Sequence, residues 1–98
     1  MAKVDLTTLS DIDGFIAGSL VDSSSGMMLG ELGTGIALDV AAAGNTEVVR
    51  SKRKVMKALA LNDSIEDILI SLGSQYHLIR PLESNPDLFL YLVLERDR

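Results

Sequence analysis

The last third of the chain contains three strand-like runs in succession, Ile65–Leu72, Tyr76–Leu82 and Leu88–Leu94. The third run is apolar at every position, whereas a strand with one face in water alternates apolar and polar side chains. We therefore predict that Leu88–Leu94 is buried on both faces, in the middle of a sheet. Such a sheet needs a covering layer on each side, and the remaining sequence offers only about one long helix. This shortfall predicts association with a partner.

The earlier part of the chain predicts a hairpin followed by a helix. Phe15–Val21 and Met27–Leu32 have the pattern of two strands around a serine-rich turn, where Asp and Ser side chains bond the local backbone. A short helix is predicted at Leu6–Ile12 and a long one over roughly Leu38–Leu61, with Asn62 as its cap. Nothing repeats and no linker divides the sequence, so residues 1–98 are predicted to form a single α/β (α+β) domain.

Composition limits the classes of function. The 98 residues include no cysteine, which excludes disulfides and thiolate metal sites. The net charge of −5 argues against nucleic-acid binding, because phosphate neutralisation needs a basic surface. No run approaches the roughly 20 apolar residues of a membrane span, and Met1–Asp5 lacks the apolar run of a signal peptide. We expect a cytoplasmic protein without a membrane span.

The predicted long helix has two different sides. Five of the nine basic residues lie within positions 48–58, which contain no acid. At about 100° per residue, the apolar residues share one broad arc and four bases gather on the opposite side. The bases form either a solvated helix face or a contact for an acidic partner surface. The arc contains Ala41, Ala42, Val48, Val49, Val55, Met56, Leu59 and Ala60, and the four bases are Arg50, Arg53, Lys54 and Lys57.

Two polar residues, Asn45 and Lys52, fall inside the apolar arc, seven positions apart. In one interpretation they lie at a solvated edge, with the stem of Lys52 covering apolar surface. In the other, half of the arc faces the sheet and half faces a second helix, where polar residues at heptad spacing fix the register. The sequence leaves both interpretations open.

No residue pattern predicts a catalytic, cofactor or metal site. Three glycines before the helix match neither a phosphate loop nor a dinucleotide fingerprint, and a flexible connection explains them better. His77 has no partner at metal-ligand spacing and is interpreted as a surface or edge residue. Glu66 and Asp67 are adjacent in a predicted strand, so they point to opposite faces and cannot share a substrate atom.

Four motifs follow one another in a recognisable order: a glycine-flanked hairpin, an alanine-rich helix start, the strand after the helix and an apolar closing hairpin. They are Gly14–Asp22 with Gly26–Gly30, Asp39–Ala43, Ile65–Ile70, and Ile79–Leu82 with Pro86–Leu94. In this order and spacing the chain resembles the Roadblock family, the dynein light-chain domain that also occurs in bacterial regulators of small GTPases. The resemblance covers roughly Leu9 to Glu95.

The resemblance implies that all five strands form one antiparallel sheet with the long helix packed on it. It also implies a dimer, of identical or related chains, joined through the long helix and the strand after it into a ten-stranded sheet. Family members are non-enzymatic scaffolds, and bacterial ones commonly bind Ras-like GTPases. Many have a further helix after the last strand, which the sequence ending at Asp97–Arg98 does not include. The predicted dimer-interface residues are Ala41, Asn45, Val48, Lys52, Val55, Leu59, Ile68 and Ile70, and the candidate partner contacts are Arg50, Arg53, Lys54 and Lys57.

Two other classes compete with this interpretation. A ligand sensor of the PAS type also packs an antiparallel sheet on helices, but it needs several short helices before its last three strands and a pocket with polar anchors. A small enzyme needs converging catalytic groups, which the sequence does not show. We predict a non-enzymatic dimeric binding module without cofactor or metal, a scaffold or regulator of a Ras-like small GTPase, with the PAS-like sensor as the alternative.

Overall fold

The computed structural model describes residues 5–96. Expectations about the two ends of the chain, Met1–Val4 and Asp97–Arg98, lie outside these residues. The short opening helix is a 3₁₀ helix at Thr7–Asp11. The strands are β1 (Phe15–Asp22), β2 (Met27–Gly33), β3 (Ile68–Ser71), β4 (Gln75–Pro81) and β5 (Leu88–Glu95), and the helix α1 (Leu38–Ala58) lies between β2 and β3. The predicted order of elements is confirmed.

All five strands form one sheet in the spatial order β2-β1-β5-β4-β3, and every neighbouring pair is antiparallel. β5 is therefore the central strand, as its apolar sequence predicted. Phe89, Tyr91 and Val93 are buried on the face of the sheet that α1 covers. On the opposite face Leu92 is buried and the other leucines of β5 are half-buried. Burial is thus complete on the helix side and partial on the other side, where the 3₁₀ helix packs against β1 and β2.

The β1–β2 hairpin is closed by the turn that the sequence predicted. Asp22 Oδ1 accepts hydrogen bonds from the backbone N–H (2.9 Å) and the hydroxyl (2.7 Å) of Ser24. These bonds lower the pKa of Asp22, first through the hydroxyl and then through the N–H. At the other end of the hairpin, Gly33 has a φ of +95°, and a Cβ there would collide with the carbonyl oxygen of Ile16. Glycine is therefore required where β2 turns towards α1.

The core lies between α1 and the sheet. Every third or fourth residue at the start of α1 is buried, as expected for one face of a helix: Leu38, Ala42, Thr46 and Val49. Thr46 is accommodated because its hydroxyl donates to the carbonyl oxygen of Ala42 at 2.7 Å. Full burial of a valine or leucine side chain contributes roughly 1.5–3 kcal/mol. The core cluster comprises Ala17, Val21, Leu38, Ala42, Val49, Ile79, Phe89, Tyr91 and Val93.

The long helix ends three residues before the predicted Leu61, and Asn62 is not its cap. Ala60 has a positive φ of 58° and its N–H donates to Lys57 O, while the Leu61 N–H donates to Met56 O, each at 3.0 Å. This pair of bonds is the Schellman arrangement, which closes a helix through one left-handed residue. The left-handed residue Ala60 therefore ends the helix before the polar residues from Asn62 onward, which had suggested its end.

β3 begins at Ile68, whereas the sequence predicted a strand over Ile65–Leu72. The register pairs Ile68 with Ile79, so a longer strand would set Glu66 opposite Pro81. The Leu82 N–H donates to Leu88 O on β5. Because successive backbone groups point to opposite edges, the backbone of Pro81 faces β3, and proline has no N–H to donate there. The β3–β4 ladder therefore stops before Asp67.

Candidate interaction surface

One stripe of α1 carries apolar side chains that the sheet does not cover. Val48, Val55 and Leu59 are 39%, 44% and 62% exposed, although all three belong to the arc that sequence periodicity identified. Together with positions 41, 45 and 52, these residues are spaced alternately four and three residues apart, which is the spacing of a helix–helix contact. We name this stripe the α1 seam and define it as Ala41, Asn45, Val48, Lys52, Val55 and Leu59. Its first two members are half-buried and Lys52 is exposed.

β3 is an outer strand of the sheet, and within residues 5–96 it pairs only with β4. Ile68 and Ile70 are half-buried, and Ile68 packs against the core cluster. Leu69 points to the other face and is 58% exposed. An outer strand with apolar side chains and free backbone groups is a template for pairing with another strand. The α1 seam and the β3 edge thus contain all eight residues predicted to form a dimer interface, and that interface stays a prediction.

A line of polar groups runs beneath the α1 seam and was not foreseen from the sequence. The Tyr91 hydroxyl lies 3.0 Å from His77 Nδ1, and His77 Nε2 lies 2.8 Å from Gln75 Oε1. An amide oxygen only accepts, so Nε2 carries the proton and Nδ1 accepts from the tyrosine. Burial raises the pKa of Tyr91, and the side-chain amide of Asn45 nearby on α1 moderates that rise. Asn45 therefore lies close enough to influence a polar group of its own chain.

His77 is half-buried in β4, and its ring meets that of Tyr91 edge-on at 5.6 Å between centroids. Burial lowers the pKa of His77, because desolvation disfavours the imidazolium form. The prediction of a surface or edge residue was wrong, because His77 is half-buried and β4 lies between two other strands. Both residues lie on the helix side of the sheet, which the sequence would have revealed only if the strand register had been known.

The four bases of α1 do not share one environment. Arg53 falls in the series of sheet-facing positions after Val49, and its guanidinium donates to the Pro86 carbonyl oxygen at 2.8 Å. Its placement with the others on the opposite side was wrong, because its long side chain reaches past the core to the β4–β5 loop. Arg50 lies 4.0 Å from Glu47 in an exposed pair that contributes little. Arg50, Lys54 and Lys57 are exposed and form the basic flank of α1.

Ser23 and Asp67 make hydrogen bonds that join separate segments of the fold. The Ser23 hydroxyl donates to Asp87 O at 2.7 Å and ties the β1–β2 turn to the loop before β5. Asp67 accepts a 2.8 Å hydrogen bond from Arg80 across the sheet edge. In the part of the chain that the structure describes, no cluster of three or more His, Cys, Asp or Glu residues could hold a metal ion. Among residues 5–96 there is also no helix with the length and apolarity to cross a membrane.

No family model and no curated protein sequence matches the chain. Solved structures do match it. The Roadblock/LC7 domain from Streptomyces avermitilis has a TM-score of 0.83 at 12% identity, covering 98% of this chain and 81% of that one. MglB with a tetrameric arrangement has a TM-score of 0.78 at 16% identity, and the gliding protein MglB from Thermus thermophilus has 0.77 at 15%; each comparison covers 92% of this chain and 67% of the other. Identities this low establish the fold alone: the chain has the fold of a roadblock-type domain.

Proposed function

We propose that the protein is a non-enzymatic dimeric binding module in which two chains meet through the α1 seam and the β3 edge. The observation that carries this proposal is the row of exposed apolar residues at heptad spacing on α1. Exposed apolar side chains in one continuous stripe mark interaction sites on proteins of this size. We propose that one partner covers this helix stripe and also pairs with the open edge of β3, which would extend the sheet.

The two polar positions of the seam have different roles in this proposal. Asn45 influences the Tyr91 hydroxyl of its own chain, so part of its polar character is directed inside the chain. Lys52 is exposed and has no ion-pair partner within residues 5–96. A lysine among the apolar residues of a helix–helix contact specifies register at some cost in stability. We therefore assign the register function mainly to Lys52.

Val48→Glu tests the dimer. A carboxylate in a buried interface costs several kcal/mol, so we expect the mass from light scattering to fall from dimer to monomer. Val40 provides a matched control, because it is 69% exposed on α1 and lies outside the seam. Val40→Glu adds the same charge and should leave the mass unchanged. Equal effects of the two substitutions, or a wild-type monomer, would contradict the proposal.

We infer further that the dimer acts as a scaffold or regulator of a Ras-like small GTPase in the cytoplasm. Support comes from the roadblock fold, from its likeness to MglB and from the resemblance of the motifs to GTPase-regulating roadblock proteins. The basic flank of α1 offers a contact for an acidic surface. It lies on the side of the helix away from the seam, so dimerisation leaves it accessible.

The test uses a Ras-like GTPase recovered from the native cytosol with the wild-type chain and then purified. We expect binding by the wild type and weaker binding when Arg50, Lys54 and Lys57 are all changed to Gln, with the dimer mass unchanged. Hydrolysis measured with and without the wild type separates a scaffold from a stimulator of GTP turnover. Full binding by the triple variant would remove the basic flank from the proposal.

The PAS-like alternative has less support. It requires several short helices between the hairpin and the last three strands, and in residues 5–96 this interval contains the single uninterrupted helix α1. The similar solved structures include a Roadblock/LC7 domain. We therefore retain the binding module as the proposed function, without a cofactor.

A further inference from the structure

A groove of about 750 Å³ lies beside the last turns of α1. Its walls are the end of α1, the segment 61–67 that leads into β3, and the end of β4 with the loop that follows. None of its lining residues belongs to the α1 seam or to β3. The groove is therefore separate from the proposed dimer interface and would be present in each chain of the dimer.

The groove exists because the β3–β4 ladder stops at Pro81. The segment 61–67, which precedes β3, would otherwise continue β3 along β4. Instead it forms one wall of the groove. In the described part of the chain, residues 62–67 make no backbone hydrogen bond to another backbone group. Unpaired N–H and C=O groups directly before an outer strand are available to an added strand. Five residues of an extended peptide span roughly 17 Å, so a short segment is long enough to pair with residues 62–67.

The floor of the groove is apolar, with Met56, Ile65 and Leu82 among its lining residues. Its rim carries charge of both signs, four acids and three bases. Two of the bases are already engaged, Arg80 with Asp67 at 2.8 Å and Arg53 with a loop carbonyl oxygen. The third is Lys57 of the basic flank, which has no ion-pair partner within residues 5–96.

Three carboxylates on the rim, Asp63, Glu66 and Glu83, have no ion-pair partner within residues 5–96. The carboxyl end of α1 adds partial negative charge at the same place. The groove thus combines an apolar floor, an unpaired backbone and a rim with excess negative charge.

We propose that this groove binds an extended basic segment of a partner protein, in which arginine or lysine alternates with apolar residues. Alternation places the apolar side chains on the groove floor and the cations at the rim carboxylates, because successive side chains of a strand point to opposite faces. The backbone of the segment pairs with residues 62–67. This binding does not depend on the proposed dimer or on a GTPase.

The test is fluorescence anisotropy with a labelled peptide of about eight residues in which arginine and valine alternate. The wild-type chain binds this peptide and does not bind the corresponding glutamate–valine peptide. Glu66→Gln and Glu83→Gln, made separately, each weaken binding roughly threefold. The matched control is Glu31→Gln, which removes an exposed charge from β2 outside the groove and leaves the affinity unchanged.

Several results would overturn the proposal. One is the absence of basic-peptide binding at millimolar concentration. Another is equal weakening by Glu31→Gln, which would indicate general attraction to an acidic protein. The third result would come from a comparison of Val48→Glu with Val40→Glu, two variants that add the same charge to α1. Both should bind the peptide equally, and loss of binding only in a folded Val48→Glu monomer would mean that the groove is formed between copies of the chain.

Discussion

Ser19 is fully buried on β1, and in the described part of the chain its hydroxyl oxygen has no hydrogen-bond partner. It is paired in register with Tyr91 at the centre of the sheet. A buried polar group without a partner costs roughly 1–3 kcal/mol. Ser19→Ala removes the hydroxyl and keeps the Cβ, so the lost packing contacts of one oxygen offset only part of this gain. We expect the free energy of unfolding to rise by about 1 kcal/mol.

Thermal unfolding followed by circular dichroism measures this effect. For a domain of this size, 1 kcal/mol corresponds to a rise in Tm of roughly 4–8 °C. Wild type and variants are compared at one protein concentration, because the Tm of an oligomer depends on it. Ser23→Ala is the matched control, since Ser23 is also buried but donates to Asp87 O, and we expect its Tm to fall. A fall in Tm for both variants would refute the reasoning, because it would show that the Ser19 hydroxyl is satisfied.

Three further predictions concern the helix end, the half-buried histidine and the seam. Ala60→Gly should stabilise the fold by about 0.5 kcal/mol in urea unfolding, because glycine adopts the positive φ of 58° without steric cost; destabilisation would contradict the helix closure described above. Because the pKa of His77 is lowered from 6.5, the unfolded chain binds more protons below about that pH, so stability should fall as pH decreases through this range. His77→Gln should flatten that dependence in thermal unfolding across pH, and an unchanged slope would assign it to other groups. Lys52→Leu should raise the Tm and give larger or mixed oligomers in size-exclusion chromatography, whereas an intact dimer with a change below roughly 0.5 kcal/mol would place Lys52 at a solvated edge.

Much of the fold follows from local sequence pattern. The apolar run at Leu88–Leu94 predicted the central strand because only a strand covered on both faces avoids polar residues. The turn after β1 followed from short polar side chains that bond the neighbouring backbone, as Asp22 does. Helical periodicity identified the apolar arc of α1, and the structure divides it into a sheet-facing half with Val49 and an exposed half with Val55.

The differences arise where one element meets another. β3 is short because Pro81 faces it across the ladder, a relation that depends on strand register. Arg53 does not belong to the basic flank of α1, because the β4–β5 loop brings the carbonyl oxygen of Pro86 within reach of its guanidinium. The contact between His77 and Tyr91 joins residues fourteen positions apart on neighbouring strands. Periodicity along a single segment carries no information on these pairings.

The most direct test of the proposed interface uses the absence of cysteine in the chain. Val48, Lys52 and Val55 are changed to cysteine one at a time, and each variant is treated with a short thiol cross-linker. The two-fold axis of a dimer joined through the α1 seam passes near at least one of these positions, so at least one variant should become a covalent dimer of twice 10.5 kDa. Val40→Cys on the same helix should stay a single chain. Cross-linking of Val40→Cys alone, or of none of the seam variants, would contradict a dimer joined through this surface.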